Sequence, residues 1–147
     1  MTDFRVESFL PQHAYDMELE DKERWMSANG FDQFVVSHYM TGPAWTLFKN
    51  DRIVTCGGIS IYWQGVGEAW VLTSPLFYEN RFTVHRLTRA HLAQVSLLYK
   101  LHRVQAVADP NDPKAVQWLE TLGFTFEGLM RKYGPDGRDY KLYARLF

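Results

Sequence analysis

Cysteine is almost missing from this sequence: Cys56 is the single one among 147 residues. No disulfide can therefore close within the chain, and a reducing cytoplasm is the expected compartment. A long apolar run is missing too; nothing approaches the roughly 18 residues that read as a membrane helix. Met1-Thr2-Asp3-Phe4-Arg5 has no basic segment leading into an apolar one, so no secretory signal and no membrane association are expected. Repeats and low-complexity tracts are absent. His13, His38, His85, His91 and His102 form no His-x-x-x-His pair beside a carboxylate, one cysteine cannot build a structural zinc site, and no P-loop or nucleophile elbow occurs. No metal is expected. Acids are missing from residues 80–108, which hold five Lys/Arg and three His, whereas residues 1–51 hold nine Asp/Glu against four Lys/Arg. The net charge is only -1, which speaks against a globally basic nucleic-acid binder.

What is present is apolar and aromatic: 46% hydrophobic, 16% Phe, Trp and Tyr. That is too apolar for disorder, and the length suits one soluble domain over residues 1–147. Phe4 to Phe9 alternates as a strand that Pro11 ends. Helical spacing follows over Gln12–Leu19, with a further piece at Lys22–Ser27, and again over Asp32–Met40 until Gly42-Pro43. Ala44–Phe48 and Ile53–Trp63 read as a hairpin across Lys49-Asn50-Asp51-Arg52, with a bulge expected at Gly57-Gly58. Cys56 beside it reads as a buried structural thiol. After the turn Gln64–Gly67, Glu68–Thr73 is a fourth strand. The longest helix runs from Tyr78 or Asn80 to about Leu101, with Val84, Leu87, His91, Val95 and Leu98 along its buried stripe.

The stretch Arg103–Gly128 is the most informative. Val104, Ala106 and Val107 are strand-like; Asp112 then offers a cap for free N–H groups, and Pro113 a preset first helical φ. Val116, Leu119 and Leu122 follow at spacing three, Gly123 ends the helix, and Phe124 and Phe126 begin a strand. Gly134-Pro135-Asp136-Gly137 turns a last hairpin, Phe124–Tyr133 against Arg138–Leu146. Strand, long helix and strand between Glu68 and Val107 make a right-handed crossover joining parallel neighbours. The expected class is α+β, mixed α/β: a twisted, mostly antiparallel sheet of about seven strands with helices on both faces.

This order of elements resembles the GNAT superfamily of acyl-CoA N-acyltransferases over nearly the whole chain. Asn111-Asp112-Pro113-Lys114-Ala115-Val116-Gln117-Trp118-Leu119-Glu120-Thr121-Leu122-Gly123-Phe124 is similar to that family's Asn-x-x-Ala-x-x-x-Tyr-x-x-x-Gly-Phe segment. Asn111 lies one residue further from Gly123 than in that pattern, and Leu119 stands where tyrosine is usual. Trp70-Val71-Leu72-Thr73-Ser74, behind Cys56-Gly57-Gly58, resembles a degenerate GNAT-like group in short-tailed phages, the internal virion protein A family. That second resemblance implies a phage origin, the host cytoplasm as location, and a host or phage protein as partner. No segment stands out as an oligomeric interface.

The GNAT resemblance implies acetyl-CoA as acyl donor and an amine as acceptor. Family members grip the donor where the fourth strand feeds the long helix, through a loop of the form Arg/Gln-x-x-Gly-x-Gly/Ala. The equivalent stretch here is Tyr78-Glu79-Asn80-Arg81-Phe82-Thr83, without glycine and with an acid beside the expected phosphates. Asn80, Arg81, Phe82 and Thr83 are accordingly the candidates at the phosphates, and the backbone N–H near Leu72 or Thr73 the candidate at the thioester carbonyl. Acyl transfer also needs a deprotonated amine and a proton for the leaving thiolate. Glu68, directly or through water, is the candidate base; its alternative is an exposed strand-edge side chain. Asn111 is the candidate for orienting substrate, or a turn residue between Pro110 and Asp112. Leu119 has no proton to give, so Ser74, Tyr133, Tyr143 or solvent takes that part. Arg81, His85, Arg89, Lys100 and Arg103 line one side of the long helix and either meet phosphates or form a solvated face. Two functions stand open: an N-acetyltransferase, and a non-catalytic GNAT-like phage protein acting in virion assembly or host-protein binding.

Overall fold

Alternating strands and one helical crossover build a seven-stranded sheet in the order β1-β2-β3-β4-β5-β7-β6. The computed structural model describes residues 3–17, 37 and 39–147. Its strands are β1 (Phe4–Ser8), β2 (Ala44–Lys49), β3 (Arg52–Trp63), β4 (Val66–Thr73), β5 (Arg103–Ala108), β6 (Thr125–Met130) and β7 (Tyr140–Leu146). Helix α1 covers Pro11–Asp16, α2 covers Arg81–Leu98 behind a 3-10 turn at Tyr78–Asn80, and α3 covers Pro113–Thr121. All neighbouring pairs are antiparallel except β4 and β5, which the α2 crossover joins in parallel. The mixed α+β class and the parallel pair agree with the sequence reading.

Partners facing each other across a ladder share a face of the sheet, so the register sorts the core. On one face Ile59, Val104, Ala106, Ala108 and Tyr143 pack against Leu92 and Val95 of α2 and against Leu122, with Trp118 and Leu119 of α3 half-buried beside them. On the other, Cys56 and Leu72 pack with Phe9, Met17 and half-buried Ala14, Tyr39 and Trp70. Helices thus cover both faces: α2 and α3 one, α1 the other. Each large aliphatic side chain buried in these clusters stabilises the fold by about 1.5–3 kcal/mol relative to exposure.

Helix α3 forms as its cap residues dictate. The Asp112 carboxyl accepts from the Ala115 N–H (3.2 Å), Pro113 holds the first helical position, and Gly123 takes φ 91°. Arg145 reaches back from β7 to donate to the last-turn carbonyl of Leu122 (3.1 Å), and Trp118 donates from its indole N–H to His85 Nδ1 (3.0 Å), tying α3 to α2.

Three expectations change. Gly57 and Gly58 pair in unbroken register; the irregularities fall instead at Leu47/Phe48, Ile61/Trp63 and Phe126/Gly128. The reason for glycine at 58 is close approach, since a Cβ there would lie 2.6 Å from the Ala44 Cβ and 2.7 Å from the Pro43 oxygen. Helix α2 stops at Leu98 rather than Leu101, and Leu98 is 76% exposed; the buried stripe is Val84, Leu92, Val95 and Ser96. The last hairpin is shorter than expected on both strands. The helices expected at Lys22–Ser27 and over most of Asp32–Met40 lie outside the described residues, as does His38. Among the described residues no helix is long and apolar enough to cross a membrane.

Candidate functional site

Strand β4 runs to Thr73 and β5 to Ala108, yet they pair only from Val66–Glu68 to Arg103–Gln105. Beyond Glu68 and Gln105 they part and leave a cleft between two strand edges. Which main-chain groups face it follows from alternation, because the N–H and C=O of one residue leave a strand on the same side and successive residues on opposite sides. The Gly65 carbonyl accepts from the N–H groups of His102 (2.8 Å) and Arg103 (3.1 Å), and Ile59 N–H donates to Pro43 across β2. Odd-numbered residues of β4 therefore turn to β5 and even-numbered ones to β3. Val71, in particular, aims its N–H and C=O into the cleft, as does Thr73, with Val107 opposite them on β5. Leu72 does not. Its main chain pairs with Cys56, its carbonyl accepts from Thr55 Oγ1 (2.6 Å), and its side chain is buried in the core. Of the two candidate donors, Leu72 is turned away and Thr73 faces the cleft; Val71, which sequence alone did not single out, faces it too.

The outer end of the cleft is the link from β4 to α2. Ser74, fully buried, closes it: its hydroxyl donates to the Val54 carbonyl (2.9 Å) and accepts from Leu76 N–H (3.2 Å). Asn80 is buried as well, donating from its amide to Leu76 O (2.8 Å) and accepting from Lys49 Nζ (3.3 Å). The main chain winds into the 3-10 turn, so the Phe77 N–H goes to Ser74 O, Asn80 N–H to Phe77 O, and Arg81 N–H to Tyr78 O. Two of the N–H groups that a helix start normally leaves open, those of Asn80 and Arg81, are occupied here. Arg81 donates to the Tyr78 carbonyl (3.0 Å) and its guanidinium lies over the rings of Tyr78 (4.5 Å) and Phe82 (4.6 Å). Lys114, from the first turn of α3, sits 4.2 Å from the same Tyr78 ring. Phe82 is 76% exposed and Thr83 half-buried. Tyr78 and Lys114 are additions that no local motif announces.

The inner end of the cleft opens beside Glu68, on the α1 face. Its two oxygens accept from the Tyr62 hydroxyl (2.8 Å) and from the Gln105 amide (3.2 Å). Arg103 donates to the Gln105 oxygen (3.3 and 3.2 Å) and, bidentately, to Glu127 (2.9 and 2.6 Å), which holds the amide with its N–H toward Glu68. Burial first, then Glu68, pushes the Tyr62 hydroxyl well above the usual tyrosine range. Burial and the same acid raise Tyr133, from the turn between β6 and β7, and burial with Asp109 raises Tyr140 to about 12. Glu68 is thus a tied member of a network, with aromatic hydroxyls around it that keep their protons. Register explains the set: Glu68 pairs with Gln105 in β5, and Tyr62 lies just across the Gln64-Gly65 turn. Asn111 sits exposed where β5 turns into α3, its N–H donating to the Asp109 carboxyl (2.9 Å). Tyr143 points the other way, buried in the α2/α3 core and edge-on to Phe126.

No protein-family model matches the sequence, and no curated protein matches it. Solved structures do match the fold. A GNAT-family acetyltransferase from Bacillus anthracis superposes with a TM-score of 0.72 at 18% identity, covering 99% of this chain and 98% of that one. This is the GNAT fold. A GNAT-family acetyltransferase from Elizabethkingia anophelis with acetyl-CoA bound gives 0.73 at 8% identity over 99% of both chains. The spermidine N-acetyltransferase SpeG of Vibrio cholerae, as its F149G mutant, gives 0.71 at 14%, over 98% of this chain and 94% of that one. None of these similarities carries the resemblance to phage internal virion proteins.

Against the GNAT fold, the two ends of the cleft differ in how they suit acetyl-CoA. The parted strands fit the amide-bearing pantetheine arm, since Val71 and Val107 offer unused strand-edge donors and acceptors. The outer loop suits the diphosphate poorly: the N–H groups of Phe77, Asn80 and Arg81 are occupied, its side chains are large, and Glu79 adds negative charge. Asn80 is withdrawn into the fold. Arg81 alone of the expected phosphate residues lies with its charge at the mouth.

Proposed function

We propose that the protein is a GNAT-type N-acyltransferase that moves an acetyl group from a pantetheine thioester, acetyl-CoA in the simplest case, to an amine of a protein or small molecule. The observation that carries this reading is the parting of β4 from β5 beyond Glu68 and Gln105, which exposes main-chain donors and acceptors to an extended thioester arm. Val71 N–H is the group aimed where negative charge develops on the thioester oxygen. The amine nitrogen attacks the carbonyl carbon, a C–N bond forms and the C–S bond breaks. Glu68, or a water it holds, takes the proton the amine loses. The thiolate takes its proton from Tyr133, which keeps its proton beside Glu68, or from solvent: Leu119 has none, Ser74 is committed to Val54, and Tyr143 is in the core. Asn111, exposed at the β5 end of the cleft, is positioned to meet substrate there.

Phage origin and a role in assembly gain no support from Trp70 and Ser74, which serve the fold: Trp70 stacks on Tyr39 (3.7 Å, 4°) and Ser74 closes a turn. The test is thermal melting with acetyl-CoA and, separately, with S-acetylpantetheine. A ligand of the folded state at about a hundred times its Kd adds roughly 2.7 kcal/mol. A rise in Tm with at least one thioester is expected; no shift with either at millimolar concentration would sink the acyltransferase reading.

A further inference from the structure

Among the described residues, Arg5, Arg103 and Arg138 each meet a carboxylate at 2.5–2.9 Å. Arg81, Arg86, Arg89 and Lys114 have no carboxylate partner among the described residues, as is also true of Arg52, Arg131 and Lys132 elsewhere; what sets α2 apart is that it carries no acid from Arg81 to Leu98. Arg86 and Arg89 stand one turn apart on the exposed side of the helix, behind exposed Phe82. Like charges three residues apart on a helix repel, and no acid of α2 relieves them. This unneutralised face begins at the mouth of the cleft, where Arg81 and Lys114 flank Tyr78.

We propose that the acyl donor is presented on the 4′-phosphopantetheine arm of an acidic carrier protein. Its acidic surface docks on Phe82, Arg86 and Arg89, and its single phosphodiester lies between Arg81 and Lys114. This rests on the acyltransferase reading and names the donor class for the same cleft. It accounts for two facts together. Where the family resemblance implies a glycine loop for a diphosphate, a glycine-free 3-10 turn stands with its Asn80 and Arg81 N–H groups occupied, and a donor without a diphosphate has no need of that loop. The charge left unpaired on α2 matches an acidic partner, and such complementarity steers docking and selects the partner. In the transfer the C–S bond of the carrier thioester breaks, the C–N bond to the acceptor amine forms, the amine proton leaves by way of Glu68, and the thiolate left on the arm is protonated by Tyr133 or solvent.

The test measures binding of the full chain to an acetylated holo acyl carrier protein, the same carrier without its arm, acetyl-CoA, S-acetylpantetheine and a short RNA, at low and at physiological salt. The acetylated carrier is expected to bind about tenfold or more tighter than acetyl-CoA. Raising salt should weaken it, since the contacts are exposed ionic ones, and the double variant Arg86→Glu, Arg89→Glu should weaken it about tenfold without lowering Tm. S-acetylpantetheine binding should be insensitive to both. Acetyl-CoA binding as tightly as the carrier, RNA binding more tightly than the carrier, or a charge reversal that leaves carrier affinity unchanged would overturn the carrier proposal while leaving the acyltransferase reading in place. Binding of neither acetyl-CoA nor S-acetylpantetheine at millimolar concentration would overturn the acyltransferase reading and, with it, the carrier proposal.

Discussion

The two ends of the cleft are made of different material. Along the parted strands the proposed working groups are main-chain N–H and C=O of Val71 and Val107, set by strand parity and by the point where β4 leaves β5, with the Glu68 side chain beside them at the inner end. At the outer end they are side chains, Arg81, Lys114 and Tyr78, over a loop whose own main chain is closed by 3-10 bonds. Main-chain chemistry comes with the topology and survives any sequence that folds this way. Side-chain chemistry does not, and a chain that shares the GNAT fold at 8–18% identity can keep the sheet while its side chains differ.

The largest effect should come from attacking the inner end directly. Val71→Pro removes the N–H aimed into the cleft without removing a ladder bond to β3, so acyl transfer should fall by about 100- to 1,000-fold while the far-UV spectrum stays native. Leu72→Pro, one residue on, deletes a bond to Cys56 and should instead unfold the protein in a urea melt. Equal outcomes for the two would break the parity argument. Next, Glu68→Gln keeps an acceptor for Tyr62 and should lower kcat by about 100-fold or more; an unchanged kcat would remove Glu68 from proton transfer.

Smaller effects separate scaffold from site. Asp112→Ala should cost about 1 kcal/mol by loss of the α3 cap, read as a lower urea midpoint, whereas Asn111→Ala should leave stability within about 0.5 kcal/mol. At the outer end, Glu79→Gln removes an exposed negative charge and should tighten acetyl-CoA binding by no more than a fewfold at low salt, measured by titration calorimetry. The smallest is a pH effect on stability. His91, stacked on Trp45 (4.4 Å), is held below the usual imidazole pKa by burial. Its folded pKa lies under the unfolded one of about 6.5, so the unfolded chain binds the proton first and stability falls as pH drops through that window. His91→Phe should flatten the Tm between about pH 7 and 5.

Local signals were legible in the residues wherever one residue type does one job. Asp112, Pro113 and Gly123 announce both ends of α3, and the α2 crossover announces the parallel pair. Misreadings arose where tertiary contact overrides a local rule. Gly57 and Gly58 suit a bulge by propensity, but Gly58 serves the close approach of Ala44 and Pro43. Leu98 fits the spacing of a buried stripe, but α2 ends there, with Lys100 at φ 53° turning the chain toward Leu101. Ser74 and Asn80 carry the right groups for chemistry, yet the fold consumes both in closing the β4–α2 link.

By itself the sequence determined the order of strands and helices, the caps of α3, the missing glycines at Tyr78–Thr83 and the acid-free helix, because each is a property of neighbours along the chain. Only the tertiary structure decided that Val71 rather than Leu72 faces the cleft, that Tyr62 and Gln105 hold Glu68, and that Lys114 meets Tyr78. Those depend on register between strands and on where two helix starts converge, and residues 37 positions apart, such as Glu68 and Gln105, acquire a common chemistry only once the sheet brings them side by side.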